Sequence, residues 1–328
     1  MSRFCLIDVS NLIHRARHGF AKSAGNDEEM VGGILHVVFN SVAYVHSNFD
    51  IDHLVFCFDN GSWRKLYYKQ YKKHREEKLK DNEEEKRIRV LMSDTIQELK
   101  HFLKTKTNVT VLSEELCEAD DFIARWTQLH PNDDHLILSS DSDFVQLSSE
   151  NIDIFNPVSK KLIHRGAIYI QASNLSRKNI IEMYNSKWKK ETSISPEWKL
   201  FEKVCRGDAG DNITRSVPSG YRTKNLQLIF EDPSSNIAEE LFSTLRKDEE
   251  GEPSVKELFE RNQLLINLTK QPNEIKELLD ASIISSVNNQ TKSNIGFDFV
   301  RFCSKFKLNR IKYDAIRMAP MLQKGYEQ

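Results

Sequence analysis

Short apolar runs punctuate the first half of the chain, and the first two each meet an aspartate and then polar turn residues. Phe4 to Val9 reads FCLIDV and Leu54 to Phe58 reads LVFCF. Continuous apolar runs of this length, bounded by turn residues, predict strands buried on both faces, as in a parallel sheet. Val109 to Leu112 and Leu136 to Leu138 (LIL) predict two more, and Ile152 to Phe155 predicts an edge strand. Between them, Met30 to Val45 and Ser93 to Lys104 repeat apolar residues at three- and four-residue intervals, the period of an amphipathic helix. Strand and helix therefore alternate, which predicts an α/β fold with a mostly parallel central sheet flanked by helices.

After about Ser173 the pattern turns polar and Lys-rich, with helical periodicity and no clear strand. The expected organisation is an α/β domain over 1–173 and a smaller C-terminal helical domain over 174–328. Ser195-Pro196 predicts an N-cap and first helical residue, opening a helix through Val204. Arg246 to Ser254 (RKDEEGEPS) predicts an exposed loop.

Composition narrows the function classes. At 328 residues and 39% hydrophobic content, the chain can bury one large or two moderate cores. With 47 Lys and Arg against 48 Asp and Glu, any attraction to nucleic acid must come from local segregation of charge. Cys5, Cys57, Cys117, Cys205 and Cys303 are far apart and form no CxxC pair, which argues against a disulfide framework and a thiolate zinc site and favours a reducing cytoplasm. No apolar run is long enough to suggest a membrane partner, and Met1 to Phe20 carries Asp8, Arg15 and Arg17 where a signal peptide needs an uninterrupted apolar region.

Carboxylates carry the strongest chemical signal: Asp8, Asp59, the group Glu118, Asp120 and Asp121, the pair Asp141 and Asp143, and the pair Asp208 and Asp211. In open parallel sheets, ligands bind beyond the carboxyl ends of the strands. Asp8, Asp59, Asp141 and Asp143 are expected at that rim, with the helix after Ser195 delivering Asp208 and Asp211. Magnesium takes a few carboxylates and completes its shell with water and phosphate oxygens. Two such ions roughly 3.5–4 Å apart clamp an in-line phosphoryl displacement. Without metal, so many acids repel one another strongly, so the site should be destabilising or carry raised carboxylate pKa values.

In CEADDFIARW, opening at Cys117, the residues Phe122, Ile123, Trp126 and, just beyond, Leu129 predict the buried stripe of a helix that starts at the acids. On an ideal helix Glu118 and Asp121 share a face, whereas Glu118 and Asp120 point nearly opposite ways. The motif is therefore expected to straddle a loop-to-helix junction, with Glu118 and Asp120 turned to one metal site. Acids also cap ordinary helices, so this segment alone fits either role. Asp141 and Asp143 are expected in extended backbone, both facing one side; a plain polar turn is the alternative. The ten histidines show no HExxH spacing, and neither GxSxG nor a P-loop occurs, which disfavours serine and cysteine nucleophiles.

Trp63 to Arg75 reads WRKLYYKQYKKHR, with Arg64, Lys65, Lys69, Lys72, Lys73 and Arg75 interleaved with Trp63, Tyr67, Tyr68 and Tyr71. Cations neutralise phosphates and aromatic faces stack on unpaired bases, a combination suited to single-stranded nucleic acid. With the charge-dense Glu76 to Arg89 following, the 62–92 region is expected to be a mobile helical element over the active site; a solvated amphipathic helix is the alternative. The basic run Phe299 to Lys312 reads as an exposed helix face ahead of a DNA or partner contact.

The strand ending in Asp8, the FDN at Phe58 to Asn60, YKKHR at Tyr71 to Arg75, EADD at 118–121, SSDSDF at 139–144 and GDAGDN at 207–212 resemble, in that order, the structure-specific 5′-nuclease superfamily of flap endonucleases, polymerase-associated 5′-nucleases and phage 5′-exonucleases. Within it the chain is most similar to the ribonuclease H type of T-even-type bacteriophages. The resemblance covers most of the first 215 residues and implies a 5′-nuclease/PIN-like fold with a helical arch. It implies that Asp8, Asp59, Glu118, Asp120, Asp121, Asp141, Asp143, Asp208 and Asp211 hold two Mg2+ ions, with Mn2+ able to substitute. Asp141 with Lys72 and Arg75 would serve catalysis, the two cations engaging the scissile or adjacent phosphate. The implied activity is a 5′→3′ exonuclease and flap endonuclease with ribonuclease H activity, releasing 5′-phosphorylated products and removing RNA primers from lagging-strand fragments.

Implied substrates are RNA–DNA hybrid, duplex DNA with a 5′ end and 5′-flap DNA; implied partners are a single-strand-binding protein and a sliding clamp; the implied location is the host bacterial cytoplasm if phage-encoded. The segment Ile213 to Asn225 (ITRSVPSGYRTKN) departs from the glycine-rich duplex-gripping element of many relatives, since Gly220 stands alone. Arg215, Arg222 and Lys224 remain there as phosphate contacts. Two rival readings stay open: a non-catalytic module for branched nucleic acid, against which no obvious acidic position is neutralised, and a PIN-type ribonuclease, which would lack the long basic arch and the C-terminal helical domain.

Overall fold

The structure, a computed structural model, describes residues 2–20, 25–80, 82–171, 188–246, 251–286 and 291–326. Its centre is a sheet of β1 (Arg3–Asp8), β2 (His53–Cys57), β3 (Thr110–Leu112), β4 (Asp134–Leu138), β5 (Ile152–Asn156), β6 (Lys161–His164), β7 (Ala167–Gln171) and β8 (Trp188–Ser193), in the order β3-β2-β1-β4-β5-β6-β7-β8. The strands from β3 to β5 are parallel, as their doubly buried apolar runs require; β5 to β8 pair antiparallel. The expected edge position of Ile152 to Phe155 is thereby corrected, and β8 is a strand where helix alone was expected. β6 and β7 form a hairpin whose two-residue turn, Arg165 and Gly166, has both φ angles positive, at 46° and 66°.

Two compact units divide the chain: Met1–Ser62, Glu83–Ser193 and Asn273–Gln328 form one, and Trp63–Asn82 with Ile194–Pro272 form the other. The expected cut at 173/174 falls outside the described residues, and the division differs from it at both ends. The helices Ile295–Lys305 and Asn309–Met318 join the first unit because their apolar faces complete its core: Phe299 and Phe302 pack on Phe39 and Phe102, and Leu308, Ile311 and Ala315 are buried beside them. Glu83–Lys106 is one continuous helix of the same unit, with Ile88 and Met92 buried, so 83–92 is not part of the element expected to lie outside the core. The helix Asp27–Asn48 is long and apolar enough to cross a membrane by length and composition, but Ile34, Leu35, Val38, Phe39, Val42 and Val45 bury its face in the core.

In the second unit, Ser195 Oγ accepts the Trp198 amide and Pro196 opens the helix Pro196–Arg206, as its sequence predicts. Cys205, Val217, Leu226, Ile229, Ala238, Leu241 and Val255 form one core; Tyr68, Tyr71, Val204, Ile213, Leu265 and Ile266 form another.

Candidate metal centre and phosphate-binding residues

Parallel register sets the first three carboxylates. Asp8 ends β1 opposite Cys57 of β2, and Ile7 lies opposite Leu138 of β4, so the neighbouring strands run out into Asp59 on one side and Ser139 to Asp143 on the other. Asp8 Oδ1 accepts the Asn11 amide at 3.0 Å and Oδ2 accepts the Ser139 hydroxyl at 2.9 Å. Its carboxyl is pushed up to about 7, first by burial and then by the charges of Asp59 and Asp141, against the lowering effect of those two hydrogen bonds. Of the acids expected to rise, Asp8 does so chiefly through burial, whereas Asp208 shifts the other way.

Asp59 is exposed at its rim; its Oδ1 accepts the Ala119 amide at 2.7 Å, and its own amide donates to Ser10 Oγ at 3.2 Å. Asp141 has the extended backbone expected of it (φ −75°, ψ 130°) and caps the 3-10 turn Ser142–Leu147, accepting the Asp143 amide at 2.9 Å; Asp143, inside that turn, departs from the expectation. The side chain of an Asp ahead of a turn satisfies the turn's bare amides, which favours this over a strand.

The EADD segment does straddle a junction. Glu118 has extended backbone (φ −95°, ψ 160°) at the N-cap of the helix Ala119–Leu129. A capping box joins it to Asp121, whose Oδ2 accepts the Glu118 amide at 3.0 Å, while Glu118 Oε2 accepts the Ser62 hydroxyl at 2.5 Å. One carboxylate oxygen each from Glu118, Asp120 and Asp121 lies within 4.8 Å of the others, a grouping able to hold one cation. Phe122, Ile123 and Trp126 form the buried stripe; Leu129, expected in it, is 38% exposed at the last residue of the helix.

Within the second unit, GDAGDN faces YKKHR. Gly207 has φ 72°, and a Cβ there would meet Ile213 O at 2.4 Å, so the turn carrying both acids requires glycine. Asp208 pairs with Lys203 at 2.6 Å and accepts the Gly210 amide; burial pushes its pKa up, but Lys203 and the Gly210 and Asp211 amides outweigh it and hold it below the usual value. Asp211 Oδ1 binds Arg75 at 2.6 Å, and its Oδ2 accepts the Tyr71 hydroxyl at 3.1 Å and lies 3.7 Å from Lys72 Nζ. Lys72 Nζ also sits 4.9 Å from the centroid of the Tyr71 ring.

The expected phosphate and base contacts separate into two sets. Lys65, Lys69, Lys73, Arg75, Arg215, Arg222 and Lys224 are exposed. Arg64 is not: it is 1% exposed, its Nε donates to Leu265 O at 2.9 Å, and its guanidinium lies over Trp63, so its expected phosphate contact is corrected to packing. Tyr71, expected to meet nucleic acid, is likewise buried, as are Trp63 and Tyr68, because the aromatic positions of this segment form the core stripe of the second unit; Tyr67 is half exposed. Sequence reasoning missed Asn11, Ser62 and Ser139, which donate to the carboxylates of Asp8 and Glu118, and Ser10, which accepts the Asp59 amide. Polar residues directly after the strands were visible, but nothing in their spacing said which acid each would bind.

An acidic rim at the carboxyl ends of parallel strands, with a three-carboxylate group able to share a cation, defines a candidate divalent-metal site. The model of the 5′-3′ exonuclease N-terminal resolvase-like domain matches residues 3–184, more than half of the chain, and the chain belongs to that family, which makes it a metal-dependent 5′-nuclease, a phosphodiester hydrolase. No curated protein matches it. Among solved structures, the 5′-exonuclease of bacteriophage T5 with zinc ions bound aligns with a TM-score of 0.58 and 18% identity over 97% of this chain and 99% of its own. The flap endonuclease of the same phage, in a pseudo-enzyme–product complex with DNA and metal ions, aligns with a TM-score of 0.55 and 17% identity over the same shares. At those identities the likeness establishes the fold.

Proposed function

We propose that the protein is a Mg2+-dependent 5′→3′ exonuclease and flap endonuclease with ribonuclease H activity that removes RNA primers from lagging-strand fragments. The observation that carries the metal chemistry is the grouping of Glu118, Asp120 and Asp121, one carboxylate oxygen from each within 4.8 Å of the others, a spacing at which one divalent cation can be shared. Asp8, Asp59, Glu118, Asp120, Asp141 and Asp143 would hold the ions directly or through water. Asp121 would act in the same group while closing the capping box. The GDAGDN motif brings Asp208 and Asp211 into the proposed set.

When bound, magnesium, or manganese in its place, supplies a more acidic water and positive charge beside the phosphate. The chain's own cations then orient the substrate. Arg75, held by Asp211 and the Gly210 carbonyl, and Lys72, held between Asp211 and the Tyr71 ring, present charge to the scissile or adjacent phosphate. The exposed Lys65, Lys69, Lys73, Arg215, Arg222 and Lys224 extend that contact along the strand. Proposed substrates are RNA–DNA hybrid, duplex DNA with a 5′ end and 5′-flap DNA; a single-strand-binding protein and a sliding clamp are proposed partners, and the five buried thiols suit a cytoplasm. Incubating the purified protein with a 5′-labelled RNA–DNA hybrid and a 5′-flap duplex tests the reading: short 5′ products with magnesium and none with chelator are expected, and structure-selective binding without cleavage would replace it with a binding module.

A further inference from the structure

Ser139 is fully buried, directly after β4, where the chain turns toward Asp141. Its single hydroxyl makes two hydrogen bonds of opposite sense: it donates to Asp8 Oδ2 at 2.9 Å and accepts the backbone amide of Asp141 at 3.1 Å. The Asp141 amide occupies a lone pair, so the one hydroxyl proton is committed to Asp8. A second bridge runs beside it. Asn11, whose amide donates to Asp8 Oδ1, accepts both the amide and the hydroxyl of Ser140, at 3.1 and 2.5 Å. The end of β1 is thus pinned to the turn after β4 through two side chains that carry no charge.

We infer that Ser139 is a positioning residue of the metal centre, fixing Asp8 relative to Asp141 so that carboxylates from two adjacent strands meet a divalent cation in one orientation. The inference rests on the reading that these two acids hold metal. Without the hydroxyl, Asp8 Oδ2 loses a donor and the Asp141 amide an acceptor, and each is then free to turn away from the other. Alanine supplies neither group, whereas threonine supplies both.

Magnesium titration calorimetry on the metal-free protein, its Ser139→Ala, Ser139→Thr and Asp8→Asn variants, and Thr107→Ala as control, tests this. Thr107 is a similarly buried hydroxyl in the same unit, bonded to Leu103 O at 2.6 Å, so it reports what losing a buried hydroxyl does by itself. Ser139→Ala should weaken magnesium affinity by about tenfold or more, and threonine should recover most of it. Thr107→Ala should leave it unchanged. In turnover, the magnesium concentration giving half-maximal rate should rise in Ser139→Ala while the rate at saturating magnesium stays near that of the native protein. An alanine variant that binds magnesium as the native protein does, or a folded threonine variant that recovers nothing, overturns the inference. Native protein that binds no divalent ion, or an Asp8→Asn variant that binds it unchanged, instead overturns the metal reading beneath it.

Discussion

Arg75 and Asp211 meet within 2.6 Å, and the same arginine also donates to the Gly210 carbonyl, so a basic segment at the start of the second unit is held by the acidic turn that follows its first long helix. A guanidinium with two fixed acceptors keeps the rest of its fork aimed. Arg75→Lys, which retains charge and loses that geometry, should lower kcat/KM on a 5′-flap duplex by about tenfold, and Arg75→Ala by more. Steady-state kinetics checks both; Arg75→Lys equal to the native enzyme would show that charge alone suffices.

Arg64 and Lys69 belong to one basic run but have opposite surroundings. Arg64 is buried with its Nε on the Leu265 carbonyl, whereas Lys69 is exposed. A buried guanidinium bonded to a main-chain carbonyl stabilises the fold and is out of reach of a phosphate. Arg64→Ala should therefore cost about 2–4 kcal/mol in urea unfolding and leave the salt dependence of DNA binding unchanged. Lys69→Ala should do the reverse, flattening the slope of log K against log salt by roughly one unit.

Asp121 closes the capping box with Glu118. Asp121→Asn keeps an oxygen to accept the Glu118 amide and Asp121→Ala does not. The alanine variant should lose about 1–2 kcal/mol of stability in chelator, and the asparagine variant less than half of that. Equal losses in urea unfolding would deny Asp121 its capping role.

The raised Asp8 carboxyl makes stability fall as pH rises when metal is absent. Its ordinary value is 3.8 and its folded value about 7, so the folded state binds the extra proton between them. The contribution is fully present below 3.8 and is lost as pH rises through 7, at about 1.4 kcal/mol for each pH unit at most. Urea unfolding in chelator should show the native protein losing stability from about pH 4 to about pH 8 more steeply than Asp8→Asn, and magnesium should reverse the difference at the upper end. Parallel pH profiles of the two proteins would contradict this.

The parts of the fold legible in the sequence are those buried on both sides. FCLID, HLVFC and HLIL are almost wholly apolar, with no polar face, so β1, β2 and β4 stand out, and strand order then places Asp8, Asp59 and Asp141 at one rim without any local motif. Strands β6 and β8 do not stand out because KLIH and WKKETS mix polar and apolar residues over a few positions, too short to show a period. The tyrosines of YYKQY mislead for a related reason: interleaving with lysine looks the same whether the aromatic side faces a base or, as for Tyr68 and Tyr71, a core. Hydrogen bonds such as Ser139 to Asp8 span 131 positions and depend on register, which composition and spacing do not encode.

The most direct measurement is cleavage and binding of a 5′-labelled flap duplex by the native protein and Asp141→Asn, side by side in magnesium. The account predicts turnover reduced by about a hundredfold or more with DNA affinity within about threefold of native, since it assigns Asp141 to the metal and the exposed cations to binding. Native-like turnover by the variant, or a loss of binding as large as the loss of turnover, would contradict it.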